Sequence, residues 1–98
     1  DTTNVVNSLQ NNFYIINYPN PTNDKSFFRY NINNSDFKNA TIEINDLLGR
    51  KMQAILLTQS NGVVSVSVKE MASGIYFYSL FNAGIKLTTR KIIVYQED

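Results

Sequence analysis

Few side chains in this chain could do covalent chemistry, and their spacing suits it poorly. Histidine and cysteine are absent from all 98 residues. No histidine-based triad, no zinc site built on those ligands and no disulfide can therefore form. Without histidine, no side chain titrates near neutrality in an ordinary environment. Eight serines and six lysines leave a Ser–Lys pair conceivable. Ser67 and Lys69 share a strand face at i, i+2, but strand alternation makes that spacing commonplace, and a solvated face is the plainer reading. Asp24, Asp36, Asp46 and Glu70 fall in loop segments and carry the oxygen ligands calcium takes. None stands in the spaced-aspartate pattern of a calcium loop, and aspartates of this kind ordinarily bond their own turn backbone. The four glycines are scattered, so no phosphate-cradling loop is present. Asn33-Asn34-Ser35 and Asn39-Ala40-Thr41 fit the glycosylation acceptor pattern, which chance supplies in a chain with 14 asparagines. Tyr76 and Tyr78 share a strand face and could stack on a sugar. With no tryptophan available, such rings are the natural filling of the core. The sequence reads as non-enzymatic, with no cofactor and no metal site.

The elements that would position these residues are short strands. The chain is 43% hydrophobic and 17% charged, against roughly 25% charged in ordinary soluble domains. Its net charge of +1 argues against strong non-specific attraction to nucleic acid or an anionic membrane. No apolar run approaches the roughly 20 residues of a membrane span. Residues 1–12 are polar and aperiodic and read as a linker. The first residue is Asp1 rather than Met, which reads as a piece of a longer protein. From Phe13 onward, β-prone runs alternate with turn residues. Strands are expected at Phe13–Tyr18, Ser26–Ile32, Ala40–Asn45, Lys51–Thr58, Val63–Val68, Ile75–Phe81 and Ile85–Tyr95, and no stretch keeps helical periodicity. Pro19 and Pro21 end the first strand. Asp46 to Arg50 predicts a hairpin with Gly49 at positive φ. Asn61-Gly62 predicts another, and Asn82-Ala83-Gly84 turns the sixth strand into the seventh. About seven short strands in one domain over residues 13–98 predict an all-β, immunoglobulin-like antiparallel sandwich, with a small closed barrel as the runner-up.

Four segments stand out in order: Tyr18-Pro19-Asn20-Pro21-Thr22, Ile42 to Arg50 containing Asp46-Leu47-Leu48-Gly49-Arg50, Met71-Ala72-Ser73-Gly74-Ile75-Tyr76, and Arg90-Lys91-Ile92-Ile93-Val94. In that order and spacing the chain resembles the type A C-terminal sorting domain of the type IX (Por) secretion system, over about residues 13–95. Met71 replaces the family's usual leucine, a volume-conserving change. Tyr95-Gln96-Glu97-Asp98 extend past the family's usual end.

The resemblance implies a signal carried by a larger cargo protein. A translocon recognises the domain in the periplasm and takes the cargo across the outer membrane. A surface sortase then removes the domain, cutting before Phe13. The cargo is left at the cell surface or outside the cell. The sorting-signal residues implied are Pro19, Asn20, Pro21, Gly49, Gly74, Tyr76, Lys91, Ile93 and Val94. The last strand is expected to offer an open edge at Lys91, Ile93 and Val94 for strand addition by a partner. The competing readings are a carbohydrate- or surface-binding accessory module of an extracellular enzyme and an inert spacer. Exposed, coplanar aromatic rings would favour the accessory module.

Overall fold

The computed structural model describes residues 13–97, so the linker expected at residues 1–12 lies outside the described residues, as does Asp98. Alternation of side chains decides the architecture. In β3 (Ala40–Asn45), Ala40, Ile42 and Ile44 are fully buried, while Thr41, Glu43 and Asn45 face outward. The same period-two pattern runs through β2 (Lys25–Ile32), β5 (Asn61–Ser67) and β6 (Gly74–Asn82). Each sheet thus has one apolar face, and two such faces must close on each other.

They do so as a three-stranded sheet facing a four-stranded one. The first has the order β1 (Phe13–Tyr18), β2, β5; the second has β4 (Lys51–Leu57), β3, β6, β7 (Ile85–Val94). All strand pairs within the sheets are antiparallel. The result is the immunoglobulin-like sandwich expected, and no helix occurs among the described residues. Ile15, Phe28, Tyr30 and Ile32 from one sheet meet Ile42, Ile44, Tyr78, Leu80 and Ile92 from the other. Phe28 and Tyr78 join the layers edge-on, with centroids 4.9 Å apart. Tyr76 and Tyr78 are core residues, 6% and 3% exposed. Their rings cannot stack on a sugar, which removes the accessory-module reading that rested on them. The Tyr76 hydroxyl escapes the cost of burial by donating to Ala72 O at 2.6 Å, and that of Tyr30 by donating to Gln59 O at 2.9 Å.

Most strand bounds match the sequence reading within two residues, but one turn does not. Asn61 and Gly62 open β5, opposite Asn31 and Tyr30 of β2, and β4 does not pair with β5. The local hairpin signal loses to the core. Val66 is buried, and Val64 half-buried, because β5 crosses to the other sheet. Tyr30 Oη on Gln59 O and Ile32 N on Ser60 O at 2.7 Å hold that crossing. The hairpin at Asn82 forms as expected, with Ala83 at φ 54° and Gly84 at φ 78°, the positive pair a tight two-residue turn demands.

Ile42 sits at the centre of this packing with no exposed surface. Ile42→Ala is expected to lower stability by about 2–5 kcal/mol, read as an earlier urea midpoint at unchanged slope.

Candidate functional site

The four singled-out segments are scattered through the sequence, yet all lie at one pole of the sandwich. The β3–β4 hairpin, the start of β6 and the end of β7 meet there, because Asn45 pairs with Phe77 and Lys51, and Gly74 with Val94. The end of β1 and the start of β2 lie at the same pole, with Asp24 O bonded by Val68 N at 2.7 Å.

Two of the segments are directly hydrogen-bonded. The Asn20 side-chain amide donates to Lys91 O at 2.9 Å and accepts from Ile93 N at 3.0 Å. Two residues on, Thr22 N donates to Ile93 O at 2.9 Å, and Tyr95 N donates to Thr22 O at 3.0 Å. Asn20 thus imitates a peptide group, and Thr22 continues the ladder as a parallel bridge to Val94. Prolines 19 and 21 flank the asparagine and have no amide hydrogen to offer, so its side chain supplies the donor instead. The segment is held from behind as well. Ser26 Oγ donates to Pro19 O at 3.1 Å, and Thr22 Oγ1 donates to Lys25 O at 2.8 Å. The open edge expected at Lys91, Ile93 and Val94 is therefore not open. Its outward backbone groups from Lys91 to Tyr95 already have partners, and Val94 is a core residue at 1% exposure. Lys91 alone of the three projects fully into solvent.

The third segment is tied to the chain's end. Gln96 Nε2 donates to Val68 O at 3.0 Å and also to Met71 O, and Gln96 N donates to Ser73 Oγ at 2.8 Å. The residues past Val94 therefore lock the loop that leads into β6. Arg90 Nη1 reaches across the sandwich to Ile15 O at 3.1 Å, capping the neighbouring β1 edge.

The fourth segment is a rigid hairpin. Asp46 Oδ1 accepts from Leu48 N at 2.9 Å and Arg50 N at 2.8 Å, and its Oδ2 pairs with Arg50 Nε at 2.7 Å. Gly49, at φ 85°, closes the turn by donating to Asp46 O at 3.0 Å. Desolvation pushes the Asp46 carboxyl up, but the Arg50 and Leu48 amides and the Arg50 guanidinium together outweigh it and hold the pKa below its ordinary value. The turn holds Leu47 and Leu48 outward at 66% and 79% exposure.

Between this hairpin and the start of β6 runs a groove of about 470 Å³, lined by Leu47, Leu48, Met52, Gly74, Ile75 and Tyr76, with Asp46, Arg50 and Glu70 among its polar members. Gly74 is informative. Its backbone is outside the left-handed region, and a Cβ there would meet no atom within 4 Å. The fold does not need a glycine at this position, and its bareness leaves groove space open.

The Lys69 ammonium faces Asp24 at 3.7 Å rather than the Ser67 hydroxyl. No group of three or more acidic, His or Cys side chains among the described residues could hold a metal. No helix among them is long and apolar enough to cross a membrane.

Residues 15–95 match the family described as the secretion system C-terminal sorting domain. The chain belongs to that family. Such domains are the C-terminal signals of type IX secretion, non-catalytic parts of cargo proteins that are exported to the cell surface or beyond. No curated protein matches. Among solved structures, the sorting domain is similar to the crystal structure of dimeric latent PorU from Porphyromonas gingivalis, at 22% identity and a TM-score of 0.72. The match covers 87% of this chain and 9% of that one. At that identity the likeness is one of fold.

Thr22, Arg90 and Gln96 were not among the expected site residues. Thr22 and Arg90 belong to the singled-out segments, and only the pairing of distant segments gives them a role. Two outcomes follow from the pole's geometry. Asn20→Ala is expected to speed amide exchange at Ile93 and lower stability by about 1 kcal/mol. Asn20→Asp, which keeps the acceptor but lacks the donor to Lys91 O, should not restore it. The Asp46 carboxylate should titrate by NMR below the ordinary aspartate value. Its contribution to the hairpin is present above that ordinary value and lost as pH falls through the lowered one.

Proposed function

We propose that the pole built by Pro19, Asn20, Pro21, Gly49, Gly74, Tyr76, Lys91, Ile93 and Val94 is the surface the type IX translocon reads in the periplasm, and that a surface sortase then cuts before Phe13. Convergence of all four segments at one pole, two of them lining its groove, carries this reading. The residues divide into two roles. Asn20, Tyr76, Ile93 and Val94 build the shape through hydrogen bonds and packing, with Pro19 and Pro21 framing Asn20 and Gly49 making the hairpin turn. Gly74 and Lys91, with the flanking Leu47 and Leu48, meet the partner. Exposed leucines on a rigid turn beside an apolar groove supply apolar area that a partner can take out of water on docking. A glycine that leaves the groove unobstructed admits a partner side chain.

The chain enters β1 at Phe13, which pairs with Ile32 at the opposite pole. Six strand residues, or roughly 17 Å at ordinary strand rise, separate that entry from Tyr18 at the reading pole. Recognition and cutting thus take place at different ends of the domain.

The test is export of a reporter carrying residues 1–98 at its C-terminus. Gly74→Val fills the groove without meeting the fold, so the variant should unfold at the same temperature as the parent while surface display is lost. Truncation after Thr89 should abolish display too, by removing the end of β7 and its ties. Undiminished display of the folded Gly74→Val fusion would refute the groove as the reading surface. Display of the truncated fusion would refute the pole altogether.

A further inference from the structure

The outer face of the three-stranded sheet lies away from the groove and has a composition the core does not explain. Strand register places its residues in cross-strand rows: Tyr14, Asn31 and Asn61; then Ile16, Arg29 and Val63; then Tyr18, Phe27 and Ser65. Tyr14, Ile16, Tyr18 and Val63 are 45%, 51%, 37% and 49% exposed. Arg29 sits at the centre, flanked across the strands by Ile16 and Val63. Its guanidinium makes no hydrogen bond or ion pair among the described residues, and neither does the Lys25 ammonium on the same face. No residue of these rows is acidic. Asp24, at the rim, is engaged by Lys69.

From this geometry we infer that the face is a docking surface for a protein partner that presents a carboxylate to Arg29 within an apolar surround. An arginine at the centre of an exposed patch, with tyrosines on the edge strand to either side of its row, brings together residue types that carry binding energy at protein interfaces. The sign of the charge selects an acidic partner, because no group on the face neutralises the guanidinium. Other occupants fit less well. In a symmetric pairing of two copies through the centre of this face, Arg29 would oppose its own equivalent. A saccharide platform needs ring faces turned outward, whereas Tyr18 and Phe27 are stacked on each other, 18° from parallel with centroids 5.7 Å apart. The acyl region of a lipid bilayer would offer the polar side chains of Asn31 and Ser65 nothing to bond.

The experiment places an amine at the centre of the face. Arg29→Lys keeps the charge and allows a carbodiimide to couple the position to a carboxylate in direct contact. It is made in a reporter carrying residues 1–98, expressed in a host with the secretion machinery and treated in intact cells. The expected product is an adduct whose isopeptide bond joins position 29 to an aspartate or glutamate of another protein, mapped by peptide mass spectrometry. Adding Ile16→Ala and Val63→Ala, which strips the apolar surround from position 29, should cut its yield roughly tenfold. Absence of any adduct at position 29 in the folded variant would overturn the inference. So would coupling to a second copy of this chain. Sedimentation of the parent domain, but not Arg29→Glu, with vesicles of phosphatidylcholine and phosphatidylglycerol would instead assign the face to lipid. Because this face is remote from Gly74, these results stand or fall independently of which surface the translocon reads.

Discussion

The organising constraint is the pairing of Asn20 and Thr22 with the end of β7. A strand at the edge of a sheet, as β7 is, leaves a row of unsatisfied amides and carbonyls, which recruits any passing strand. Here a segment some 70 positions earlier in sequence closes that row, at the contacts Asn20 makes with Lys91 and Ile93. Because the closing element is a side-chain amide between two prolines rather than a regular strand, it satisfies the edge without offering a fresh one. The same contacts bring the first and last of the four segments together. The tie from Gln96 to Val68, Met71 and Ser73 then adds the third. Shape at this pole is thus fixed by long-range polar bonds laid over an apolar core.

That division of labour explains what the sequence could and could not disclose. Strand positions, the inward stripes of β2, β3 and β6, the Asp46 hairpin and the burial of Tyr76 and Tyr78 follow from period-two alternation and turn chemistry, both local properties. The crossing between Leu57 and Asn61 does not. Asn-Gly is a strong local turn signal, and only the demand of Val64 and Val66 for the opposite sheet overrides it. The closed edge at Lys91 was hidden for a similar reason. Nothing near Lys91 in sequence names Asn20 as its partner, and an asparagine between prolines reads locally as a corner. The ordered order of the four motifs was legible; that they share a pole became visible only once the strand register was known.

The two candidate surfaces obey different logic. At the pole, the parts proposed to meet a partner are exposed leucines on a braced hairpin, an obstruction-free glycine and one exposed lysine, positioned by more deeply buried residues. On the three-stranded sheet, the Arg29 guanidinium stands between Ile16 and Val63 with no opposing charge among the described residues. The first arrangement offers shape and the second offers sign. A signal that must be distinguished from the many other β-sandwiches a cell exports gains from having both, since shape alone is shared by the whole fold.

The hold on Gln96 has a practical corollary for anyone handling this domain. Backbone leaving that residue emerges beside Ser73, on the rim of the groove. A purification handle or fluorescent protein appended downstream would thus be tethered over the very cleft a partner would have to enter. An insertion upstream of Phe13 starts from the far side of the sandwich and leaves that cleft clear.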